Sequence, residues 1–229
     1  MDAVLADWKS APVSDRVMAG LKIQEIMTLR PLEIDQAFVE EVRSDLDDFA
    51  IREAANVAFH YNYINRVVDA FDYPVPQGKQ TRRLAQLLNI VGKVVKGVTA
   101  DPPWVASEDD GIIRPTEVEN GRIRMLSTEG QSDLDLRRAV EAFVKKQWRY
   151  EKAPDLDLPE NLRPYMTKLA LHAYRITQAD IDALKAAGYT EREIYELTIV
   201  GCLGAALVGL EVLFEAMYRG AETVERAAA

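Results

Sequence analysis

Sulfur is scarce in this 229-residue chain, which holds a single cysteine, Cys202. A disulfide within the chain is excluded, and a reducing cytoplasm is the simplest expected location. Basic clusters are missing as well. The formal net charge is −9, and no block of lysine and arginine interrupts it. Such an acidic surface repels phosphate backbones, so nucleic acid is not an expected partner. The opening residues, MDAVLADWKSAP, lack an apolar core of signal-peptide length. The longest apolar run free of charge, Leu197 to Leu210, spans 14 residues between Glu196 and Glu211. That falls short of the ~18 residues of a membrane span, so a buried core helix is expected there and a membrane is not. No strong catalytic motif stands in the chain. Neither metal nor cofactor is expected.

What the chain does have is apolar content and helical spacing. Apolar residues make up 48% and charged residues 28%, enough to bury a core. The spacing predicts helices over Asp15–Leu29, Ile34–Arg43, Asp48–Phe71, 80–98, Leu134–Glu151, Asn161–Tyr174, Gln178–Ala187 and Glu191–Tyr218. No strand is convincing, because the valine-rich stretch at 91–98 keeps helical spacing. Between Thr99 and Asp133 the pattern fails among prolines, glycines and acids. A segment of that kind is functional or a linker. The expected organisation is therefore an N-terminal helical unit over 1–98, a connecting segment over 99–133 and a C-terminal helical unit over 134–229, together one all-α domain. The tail AETVERAAA is expected to fray.

Two helix starts are signalled strongly. TQAD at 177–180 and TERE at 190–193 each place a threonine where it can cap, with an acid three residues on to bond back. Tyr189 before the second cap can pack on Ile194 as a staple. Gly188 suits the close of the preceding helix. The stretch LDDFAIREAANVAF (46–59) also aligns with YTEREIYELTIVGC (189–202). Leu46 and Tyr189 take the staple position, Asp47 and Thr190 the cap, Ile51 matches Ile194, and Glu53 matches Glu196. We read two copies of a short-helix, long-helix unit, with chance similarity as the competing explanation.

The phrases REAANVAFHYNYINRVVDAF (52–71) and ITQADIDALKAAGYTEREIYELTIVGCLGAALVGLE (176–211) resemble the alkylhydroperoxidase-D-like family, which includes carboxymuconolactone decarboxylase. The resemblance implies an all-α fold with two related helical units and a homo-oligomer. Active peroxidases of that family carry a glutamate, a Cys-x-x-Cys pair and a histidine on one helix. One thiolate attacks peroxide and the other resolves the sulfenate. Here Glu53 matches the glutamate, but Asn65 and Val68 stand at the cysteine positions and Asp72 at the histidine. In the second copy Glu196 matches, whereas Val208, Glu211 and Glu215 replace the rest. Both dithiol centres are absent. Cys202 lies off the family's catalytic position in an apolar helix, and an inert structural thiol is expected.

At about 100° per residue, Val57, Ile64, Val67, Val68 and Phe71 fall within about 60° of Glu53, and His60 about 20° from it. This spacing predicts that Glu53 and His60 face inward, with Asn56 at the edge of that face and Asn62, Arg66 and Asp69 pointing away. Buried polar groups require hydrogen bonds. In one reading, Glu53 and His60 form a catalytic acid–base pair in a pocket for a small organic ligand. Asn56, Tyr63, Asn65 and Arg66 are then the candidate ligand-binding residues. In the other, Asn56 bridges the pair in a purely structural ladder. Arg66 has a competing solvated or interfacial role, and Tyr61 and Tyr63 a competing role as core edges. His172 is placed at a helix C-terminus, where a positive imidazole is favoured. Gly201, Gly204, Ala205 and Gly209 form small-residue ridges for close helix approach, within the chain or between subunits. Trp104 and Arg114 are weak candidates to cover a pocket.

Two functions are therefore expected. The first is a carboxymuconolactone-decarboxylase-like enzyme that moves protons without a dithiol. The alternative is a non-catalytic oligomeric binding or assembly relative.

Overall fold

The computed structural model describes residues 7–73 and 130–228, with side chains described as far as Tyr218. Among the described residues the fold is all-α, with no strand. Seven helices follow one another: α1 Asp15–Leu29, α2 Gln36–Arg43, α3 Asp48–Ala70, α4 Leu134–Gln147, α5 Arg163–His172, α6 Gln178–Ala186 and α7 Glu191–Ala228. The expected helix over 80–98, most of the irregular segment, Trp104 and Arg114 lie outside the described residues.

Helix starts follow the capping chemistry. The side chains of Ser14, Asp35, Asp47 and Asp133 each accept a backbone N–H of the first turn. Thr177 and Asp180 form a reciprocal capping box at α6. Thr190 and Glu193 bond in the same way before α7. Helix ends differ more from expectation. α4 stops at Gln147 rather than Glu151 because Arg149 takes a left-handed conformation at φ 60°. There the Tyr150 N–H reaches back to the Lys145 carbonyl at 3.2 Å, a closure usually made with glycine. Gly188, at φ 98°, makes the same closure after α6. α7 does not stop at Tyr218. The tail expected to fray continues the helix to Ala228.

α7 is the axis of the fold. It packs on α3, α4, α5, α2 and α1, and every residue from Leu197 to Leu210 is buried. By length and composition Glu191–Tyr218 passes for a membrane span, but 89% of its most apolar window is buried inside the fold. Its second half joins α1, α2 and α3 in one apolar cluster that includes Ile23, Val39, Ile51, Phe59, Leu207 and Leu213. Its first half joins α4, α5 and α6 in another, with Val140, Leu162, Met166, Leu184 and Leu197. Tyr63 and Val67 of α3 touch both clusters. The small-residue ridges are used within the chain. A Cβ on Gly201 would meet Leu169, one on Gly204 would meet Glu141, and one on Gly209 would sit 3.1 Å from the Met27 carbonyl.

Candidate functional site

α3 places its side chains in the opposite phase to the one expected. The buried face carries Ile51, Ala55 and Ala58, each at 0% exposure, together with Phe59 and Asn62. Glu53 lies exposed on the outer side. Val57 (48% exposed), Ile64 (50%) and Tyr61 (63%) share that outer side, as does Phe49 (49%) at the start of the helix. The inward placement of Glu53 and His60 is thus corrected by about half a turn. α3 has two apolar stripes, and helix packing chose between them. Ala55 and Ala58 let the backbones of α1 and α7 approach closely, which the larger Val57 and Ile64 do not allow. Two bonds from α1 record that approach. Gln24 donates from Nε2 to the Ala54 carbonyl at 2.9 Å, and Thr28 donates from Oγ1 to Asn62 Oδ1 at 3.1 Å.

The proposed acid–base pair therefore sits at the surface. His60 is half-buried, and its Nδ1 donates to the Asn56 backbone carbonyl at 2.7 Å. Its ring meets Phe59 edge-on, with centroids 5.2 Å apart. Asn56 thus serves His60 through its backbone carbonyl. Asn65 is exposed, and Tyr63 is half-buried between the two cores. His172 ends α5, exposed, as expected.

Asn62 and Arg66, expected to point outward, turn inward instead. Arg66 donates from Nη1 to the Asn62 carbonyl at 2.8 Å. Its guanidinium carbon lies 5.4 Å from the centre of the Trp148 ring, a cation–π stack. Burial pulls its pKa below the ordinary arginine value, and the neighbouring Cys202 and Asp69 act against this. The Cys202 thiol is buried and pushed up to about 12, chiefly by burial, with Arg66 opposing. Burial and a raised pKa are the surroundings in which a thiol reacts slowly. Two buried donors, Arg52 Nε and Trp148 Nε1, have no hydrogen-bond partner among the described residues.

Two polar clusters escaped the sequence reading because their members are far apart in the chain. Glu196, which aligns with Glu53 in the sequence, does not share its exposure. Its carboxylate accepts the Ser132 N–H and hydroxyl, each at 2.7 Å, the Gln131 N–H at 3.1 Å and Arg192 Nε at 3.1 Å. Burial raises the Glu196 pKa, but these hydrogen bonds together outweigh it and hold the group at about 2. The buried Arg137 completes the cluster, 3.7 Å from Glu196 and 2.6 Å from the Ser132 carbonyl. The second cluster joins α4 to α7. Lys145 Nζ lies 2.9 Å from Glu141 and 2.7 Å from Glu211. Burial disfavours its charge, yet the two carboxylates hold the ammonium above the ordinary lysine value.

The clefts among the described residues include two that are open to solvent. One, of about 370 Å³, lies between the end of α3 and the starts of α6 and α7. The other, of about 410 Å³, lies between Trp8, α1 and α2. Neither is lined by Glu53 or His60. No protein-family model, curated protein or solved structure matches the chain.

Proposed function

We propose that this chain is a non-catalytic binding and assembly protein, a relative of the alkylhydroperoxidase-D-like group that works by self-association through the outer face of α3. One observation carries the reading: Val57, Tyr61 and Ile64 stay about half exposed along a helix whose other apolar stripe is buried. Glu53, Val57, His60 and Ile64 follow one another at alternating steps of four and three residues. That is the spacing of a helix seam that meets a second helix. A two-fold symmetric pair presents the same stripe from both copies, so one apolar seam satisfies both. The surface position of Glu53 also favours assembly over catalysis. Proton transfer gains most from a group held in a water-poor pocket, and this carboxylate stands in solvent.

The test uses the inertness of Cys202. A Val57→Cys chain has one reactive thiol, on the seam. A short bis-maleimide should then join two chains in high yield. The control Glu160→Cys carries its thiol on an exposed residue ahead of α5, and should give little product. Equal yields from both variants would defeat the proposal.

A further inference from the structure

The cleft at the end of α3 has a lining that calls for a particular ligand charge. Phe71 and Asp72 form one wall, Ile181 and Ile194 contribute apolar surface, and Lys185 and Glu191 stand at the mouth. Lys185 and Glu191 neutralise each other at 2.6 Å. Asp72 is therefore the unbalanced charge. Its carboxylate is exposed and takes part in no hydrogen bond or ion pair among the described residues. Its backbone is held at φ 48°, in the left-handed region that side-chain-bearing residues seldom adopt. The Tyr73 N–H closes that turn on the Val68 carbonyl at 3.0 Å. Arg149 makes the same closure at the end of α4.

Beside this carboxylate the cleft is lined by one aromatic ring, Phe71. Phe71 stacks on Tyr195, with centroids 5.4 Å apart and planes at 27°, and Tyr73 lies 5.7 Å from Phe71. An uncompensated carboxylate, an aromatic ring and an apolar floor together form the chemistry that recognises an organic cation. The Phe71 ring attracts positive charge through its quadrupole, the carboxylate supplies the counter-charge, and the isoleucines receive the apolar body. We propose that this cleft binds a small organic ammonium, with Asp72 as its counter-ion and Phe71 as its aromatic contact. The site is separate from the outer face of α3 and does not depend on self-association.

Choline and its uncharged carbon analogue, 3,3-dimethylbutan-1-ol, share a shape and differ in charge, so they are the probes. Titration of the full-length chain, followed calorimetrically or by ligand-observed NMR, should show choline binding at least about tenfold more tightly, the ratio that one cation–π contact and one ion pair supply. Asp72→Asn keeps the turn, because asparagine tolerates the left-handed region. It should leave the melting temperature unchanged and shrink the preference for choline to the part that Phe71 supplies. Asp72→Gly, which also fits the turn, should behave in the same way. Equal affinity for the two probes, no binding of choline at about 10 mM, or a preference that survives undiminished in a folded Asp72→Asn chain would each overturn the assignment.

Discussion

Glu196 and Cys202 show how single groups are tuned by their surroundings. The Glu196 carboxylate is held at about 2, against an ordinary value of 4.5, by donors from Ser132, Gln131 and Arg192. A depressed acid stabilises the fold fully above its unfolded pKa and loses that contribution as pH falls through the folded one. Glu196→Gln should therefore cost roughly 1–3 kcal/mol near neutral pH, because a charged acceptor is lost from a partly buried cluster. The melting curves of the variant and the parent should converge as pH drops from about 4.5 toward 2. A constant gap across that range would show that the charge is irrelevant. Cys202 gives the second prediction at this scale. With its thiol pushed up to about 12, it should resist a maleimide in the folded chain and react at once in denaturant. Rapid labelling of the native protein would contradict its burial.

At the scale of the element, α3 carries the main lesson. Its limits were legible, since Asp47 caps it and the pattern ends near Phe71. Its phase was not. Two stripes compete on this helix, and hydrophobicity favours the one bearing Val57, Ile64 and Val68, whereas packing favours small side chains where backbones cross. Size and partner geometry are tertiary facts that periodicity does not encode. The same limit explains Glu196. Its match to Glu53 predicts a shared environment, yet its partners at 131 and 132 approach from the far side of the chain. Capping boxes, by contrast, are local, and both Thr177 and Thr190 behave as the sequence implies. The phase itself is open to test. Ala58→Leu should destabilise the chain by about 1–3 kcal/mol through overpacking, whereas Val57→Ser, measured at a dilution where the chain is a monomer, should change stability by less than about 0.5 kcal/mol. Denaturant midpoints for the two variants decide it, and the reverse order would restore the inward face first expected.

For the whole molecule, the chain's apolar content is spent on one central helix. α7 supplies both cores, and Lys145, clamped between Glu141 and Glu211, ties α4 to it. The all-helical character and the buried Leu197–Leu210 run follow from composition and spacing. Among the described residues, the stripe on α3 is apolar surface left outside the core, and a second copy is proposed to cover it. Sedimentation velocity over a concentration series, on the parent and on a Val57→Glu, Ile64→Glu double variant, tests this most directly. The account predicts a parent that moves from the 25.7 kDa chain to a dimer or larger even assembly by micromolar concentration. It predicts a double variant that remains monomeric with an unchanged helical spectrum, because charges placed on both sides of an apolar seam repel and stay hydrated. A parent that sediments as a monomer throughout, or a folded double variant that assembles as well as the parent, would contradict it.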